Sequence, residues 1–166
     1  IHNKDYYQEL FDSYGFSKKM DLLCYHLIRD EVPKKMLGLA KKIEERLAAR
    51  DIIIRKVNFK DIKNETPKIR HIYNKAWEKN WGFVPMTPNE FEKLVKELKL
   101  VTTPDLVYIV EDKDEPIAFV ACLPNLNEIT IKIRNGRLLP FNIFRLIGFK
   151  KKVKSVRVLT LGLIEK

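Results

Sequence analysis

Three carboxylates stand where strands are expected to end: Glu111, Asp112 and Glu128. Each could take a proton from an attacking nucleophile, directly or through water. Each also fits a turn or a surface charge, so none is singled out as a catalytic base. A second feature is NKAWEKNWGFVPMTPNEF, residues 74–91, which sets Trp77, Trp81 and Phe83 with a glycine and two prolines between two expected helices. Aromatic side chains bury large areas, so this stretch either plugs the edge of the core or walls a pocket. Asn74 and Asn80 could supply hydrogen bonds to a bound molecule. In PNLNE, Asn125 and Asn127 lie two residues apart. On a strand they would point the same way; in a turn they would cap it. His2, His26 and His71 have no ligand spacing with any Cys or acid, so no metal is expected. Cys24 and Cys122 sit in apolar runs and read as buried thiols in a reducing compartment.

The bulk properties restrict the setting. The 166 residues suit one domain, or one domain plus part of another. No run of eighteen apolar residues occurs, so no membrane span and no membrane partner are expected. The polar start, without an initiator Met, suggests a chain that begins inside a longer, cytoplasmic gene product. A net charge of +10 favours nucleic acid, an anionic surface or a polyphosphate cofactor, or simply a solubilising surface. The basic residues are spread along the chain, with a denser block at residues 149–158. No aromatic-interleaved basic motif is present, so a nucleic-acid partner is not expected.

The elements that must position these residues follow from periodicity. Tyr7, Leu10, Phe11 and Tyr14 fall on one helical face, and Gly15 ends that helix. MDLLCYHLI, residues 20–28, has the length and apolar character of a strand. A helix starting at Pro33 carries Met36, Leu37, Ala40, Ile43 and Leu47 as its stripe. DIIIRKVNF from Asp51 reads as a strand. Thr66-Pro67 reads as the cap and first position of a helix whose face holds Ile69, Ile72, Tyr73, Ala76 and Trp77. Thr87 and Glu90 form a capping box for the next helix, with Met86 and Phe91 as its staple. Residues 106–110 and 117–123 are strands joined by an acidic turn. Residues 129–133 are ambiguous, a short helix follows Pro140, and residues 155–164 form a strand. The fold class is therefore mixed α/β, with a mostly antiparallel central sheet and helices on both faces.

From Asp51 onward this order resembles the N-terminal half of the GNAT-type N-acetyltransferase fold, in its incomplete form. DIIIRKV resembles the family's first strand, LVYIVEDKDEPIAFVACL its second and third, and VRVLTLGLIEK its fourth. YYQELFDSYGFSKKMDLLCYHL, with Gly15-Phe16 at the junction, resembles the closing segment of such a domain. The chain thus resembles the middle of a bacterial family of larger GNAT-like proteins. Residues 1–30 would close a preceding half, 31–50 would be a linker helix, and 51–166 would begin a second half ending at the cofactor strand.

The resemblance implies an acyl-CoA-dependent N-acyltransferase-like protein, present here as a fragment, acting on a small amine or amino acid derivative. The alternative is a degenerate, non-catalytic module with a structural or binding role. The implied cofactor is acetyl-CoA, or another acyl-CoA, held in the intact protein by the backbone of Leu161, Gly162 and Leu163. A glycine at 162 equally fits a bulge or tight packing. The implied acceptor pocket gathers Trp77, Asn80, Trp81, Phe83, Asn125 and Asn127. The family's pyrophosphate loop would fall beyond Lys166, so this chain alone is not expected to bind the cofactor tightly. The remainder of the parent polypeptide is its expected partner.

Overall fold

The computed structural model describes residues 3–133, 136–137 and 139–165; His2 and Lys166 lie outside them. The chain divides into two compact units, residues 1–41 and 42–166. In the first, α1 (Tyr6–Ser13) is followed by Gly15 in the left-handed region, as its apolar spacing and terminal glycine anticipate. Residues 20–28, expected as a strand, form none. A strand is completed by a neighbour's hydrogen bonds, and apolar β-prone composition cannot supply that neighbour. Helix α2 (Lys34–Ala48) runs across the boundary between the units.

The second unit is built on a four-stranded antiparallel sheet in the order β1-β2-β3-β4. Its strands are β1 (Ile52–Lys56), β2 (Val107–Asp112), β3 (Glu115–Pro124) and β4 (Val156–Leu163). The expected hairpin and the expected seat of the last strand beside it are both present. Lys113 and Asp114 join β2 to β3, each with positive φ, as a two-residue turn requires when it follows the right-handed twist of its strands.

Helices α3 (Ile62–Trp77) and α4 (Pro88–Val101) pack on one face of the sheet. The buried core there is Val57, Ile69, Ile72, Phe91, Val107, Ile109 and Phe119. The start of α3 corrects the sequence reading. A 3-10 turn, Phe59–Asp61, capped by Asn58, leads into the helix at Ile62, and Pro67 lies inside it. Thr66 is buried and donates from Oγ1 to the Ile62 carbonyl at 2.7 Å, so it bonds backward along the helix and does not cap it. The capping box of α4 is formed as its sequence states: Glu90 N donates to Thr87 Oγ1, and Thr87 N donates to Glu90 Oε2 at 2.9 Å. The short helices α5 (Asn127–Thr130) and α6 (Ile143–Leu146) lie between β3 and β4. Helical cover was expected on both faces; on the opposite face Leu161 and Leu163 of β4 are 67% and 63% exposed.

Candidate functional site

Between α3, α4 and the sheet lies an apolar cavity of about 350 Å³. Tyr73 and Trp77 of α3 line it, with Leu94 and Leu98 of α4, Ala121 and Cys122 of β3, and Leu159 and Thr160 of β4. Its wall is an aromatic cluster. Tyr73 stacks on Trp77 with ring centroids 5.0 Å apart, and Trp77 reaches Phe119 at 6.2 Å. Burial raises the Cys122 thiol above its ordinary range, so it stays protonated at neutral pH. Thr160 Oγ1 is buried among these groups without a hydrogen-bond partner. An unmet buried hydroxyl is unfavourable by ~1–3 kcal/mol, a cost that a hydrogen-bonding ligand would remove.

Strand β4 forms the sheet's last position, and its outer edge pairs with no other strand among the described residues. Ile164 N donates to the Ile117 carbonyl at 2.9 Å. Antiparallel ladders alternate, so Gly162, opposite Phe119, also turns its backbone toward β3, while Leu161 and Leu163 turn theirs outward. Of the three residues expected to hold a cofactor, two thus present backbone groups at the open edge. Gly162 has a packing role instead: a Cβ there would meet the Trp77 ring at 2.5 Å.

The expected acceptor pocket does not assemble as one group. Trp77 lines the cavity, and Phe83 packs on Tyr73 with centroids 5.6 Å apart. Trp81 is 82% exposed, neither a core plug nor a wall of this cavity. Asn80 is exposed; its backbone N–H donates to the Trp77 carbonyl at 2.8 Å. Asn74 is spent on the loop itself, donating to the Met86 carbonyl at 3.2 Å and accepting from Met86 N at 3.1 Å. That pair closes the aromatic loop onto α3. Asn125 and Asn127 belong to the far end of β3. Phe119, beside Trp77, lies six residues from Asn125, roughly 20 Å along an extended strand. Asn125 donates from Nδ2 to Ser155 Oγ at 3.0 Å, and Asn127 opens α5.

The acids are also committed. Glu111 is buried rather than a turn or surface charge. Arg55 Nε and Nη2 donate to its two oxygens at 2.6 and 2.7 Å, and Lys68 Nζ donates at 2.8 Å. Arg55 Nη1 reaches Glu65 at 3.0 and 3.1 Å. The Arg55 hydrogen bonds, aided by Lys68, pull the Glu111 carboxyl down to about 2 against the opposing effect of burial. A base poised near neutrality needs the opposite shift. Glu128 accepts from Ser155 Oγ and from the backbone N–H groups of Lys154 and Ser155, which lower its pKa and fasten the entry to β4. Sequence reasoning missed the Arg55–Glu65–Glu111–Lys68 network. Placing the helix start at Thr66 left Glu65 outside the helix and hid that Glu65 and Lys68, three residues apart on α3, can both reach the network, Glu65 through Arg55 and Lys68 through Glu111. Among the described residues no cluster of His, Cys, Asp or Glu could hold a metal ion.

No protein-family model matches the chain. Over 161 residues, 94% of its length, the chain is 33% identical to Protein YghO of Escherichia coli. Over 168 residues, 99% of its length, it is 30% identical to Bacterial ceramide synthase of Caulobacter vibrioides. It spans 39% and 42% of these two relatives, about two fifths of each. A solved agmatine N-acetyltransferase, in an apo form, resembles it with a TM-score of 0.38 and 13% identity, over 68% of this chain and 60% of that one. Likeness at that level bears on neither fold nor activity.

Proposed function

We propose that these residues belong to an acyl-CoA-dependent N-acyltransferase whose acceptor is an amine, and that the apolar cavity receives an aliphatic portion of a substrate. The observation that carries this reading is the coincidence of two features on β4. Thr160 sets one unpartnered hydroxyl into an apolar cavity, and one residue further along the strand begins an open backbone edge. Similarity to a bacterial ceramide synthase across nearly the whole chain supports the same class of chemistry.

The residues fit the cofactor in one respect. The outward N–H and C=O groups of Leu161 and Leu163 can pair with the amides of an extended pantetheine arm as an added strand would. Bound acyl-CoA would supply the activated thioester: the amine nitrogen forms a C–N bond to its carbonyl carbon, the C–S bond breaks, and the proton lost by nitrogen ends on the released thiolate. This chain contributes positioning. The cavity excludes water from an aliphatic group, and the Thr160 hydroxyl holds the polar end of that group. Glu111 and Glu128 hold structure, not protons in transit.

The intact protein incubated with acyl-CoA thioesters of graded chain length and a panel of amines should release free thiol and form amide in equal amounts, read by a thiol reagent and mass spectrometry. Thr160→Val, nearly the same size, should weaken substrate use without lowering the melting temperature, since it removes an unmet buried hydroxyl. Absence of thiol release with every acyl-CoA would favour the structural or binding module instead.

A further inference from the structure

The positive charge of this protein is not spread evenly. From Ile129 to Ile164 the sequence holds nine Lys and Arg and no Asp or Glu. These 36 residues therefore carry +9 of the net +10, leaving +1 on the other 130. The same segment holds a group of large apolar side chains turned to solvent: Ile131, Leu139, Phe141, Phe144 and Ile147 are each more than 60% exposed. They lie within seventeen residues, around α6 and the turn before it. Three of the neighbouring cations bond to carbonyls and not to acids. Lys150 Nζ donates to the Thr102 carbonyl at 2.7 Å, Lys152 Nζ to the Ile147 carbonyl at 2.8 Å, and Arg145 to the Lys132 carbonyl at 3.2 Å. Bonds to neutral carbonyls fix these side chains and leave the charge in place.

We infer that this segment docks on an anionic lipid bilayer, with Phe141, Phe144 and Leu139 entering the headgroup boundary and exposed cations such as Lys132 and Lys151 drawn to lipid phosphates. Two kinds of surface occur together, and the occupant must satisfy both. A nucleic acid would answer the charge but has no use for Ile131, Leu139 and Ile147, which neither stack on bases nor bond phosphate. A bilayer interface takes apolar side chains a short way into its acyl boundary and attracts each nearby cation to its anionic surface. Among the described residues no helix is long and apolar enough to cross a membrane, and attachment to a surface needs none. The inference departs from the expectation of no membrane partner, which rested on the lack of an apolar run long enough to span. This inference does not depend on the transferase reading, because the docking face and the cavity are made of different residues.

The test is flotation of the intact protein with vesicles of phosphatidylcholine, with and without one third phosphatidylglycerol, at low and high salt. Binding is expected to the anionic vesicles only, and to fall with salt. Phe141→Ser with Phe144→Ser should cut binding about tenfold, and Lys132→Glu with Lys151→Glu should do the same. All four positions are exposed, so circular dichroism should show an unchanged fold. No flotation with anionic vesicles at low salt overturns the inference. So does binding indifferent to the two phenylalanines, or binding abolished equally by competing RNA, either of which would mark a general polyanion site.

Discussion

Trp77 occupies the space that a side chain on residue 162 would need: a Cβ built on Gly162 stands 2.5 Å from Trp77 Cζ3 and 3.0 Å from Cη2. The helix that backs the cavity is thus seated directly on the strand that offers the open edge. Gly162→Ala should destabilise the protein by ~1–3 kcal/mol, the usual result of forcing an atom into a packed core. Adding Trp77→Leu should recover part of the loss, because the two side chains compete for one volume. Chemical denaturation of both single variants and the pair measures this. Additive losses would show that the ring and the glycine are independent.

Glu111 predicts an acid limit. Its folded pKa is lowered from 4.5 to about 2, first by the Arg55 hydrogen bond. A depressed carboxylate contributes stability that is fully present above its unfolded value and is lost as pH falls through the folded one. Stability should therefore decline between pH 4.5 and 2, by on the order of 2–3 kcal/mol. Arg55→Met should cost about 3 kcal/mol at neutral pH, since it leaves Glu65 and Glu111 facing each other with Lys68 as their remaining cation. It should also flatten the acid decline. Urea titrations at a series of pH values provide both readings.

The capping box predicts a small, chemically specific effect. Thr87→Ala removes the acceptor for Glu90 N and should cost about 1 kcal/mol, whereas Thr87→Ser should be nearly neutral. A thermal melt of each variant is sufficient. Equal losses would point to the methyl group of the threonine, not its oxygen.

Trp77, at the end of α3, and Trp81, in the loop beyond it, should part company. Trp77→Ala should cost about 3 kcal/mol or more, as for other large aromatics packed on a core. Trp81, largely in solvent, should change stability by less than about 0.5 kcal/mol when cut to Ala. Acceptor kinetics of the intact protein with Trp81→Ala then test whether it touches substrate. Unchanged kinetics together with unchanged stability would remove it from any pocket.

The sequence by itself determined the elements whose causes are local. The capping box of α4, the apolar stripe of α3 through Ile69, Ile72 and Trp77, the hairpin of β2 and β3 and the strand beside them were legible. Each follows from side-chain period or from a hydrogen bond spanning a few residues. The tertiary structure alone decided what depends on distant partners. Pro67 sits inside a helix because Asn58 and Phe59–Asp61 turn the chain into it earlier. Residues 20–28 have strand composition but no ladder in this chain. Glu111 became buried because Arg55, 56 residues earlier in the chain, and Lys68, 43 earlier, reach it across the sheet and from α3. The role of Gly162 depended on where the Trp77 ring would land, and the exposure of Trp81 on how Asn74 closes the loop on Met86. Composition records which groups a chain owns; only the packing of remote segments decides which of them meet.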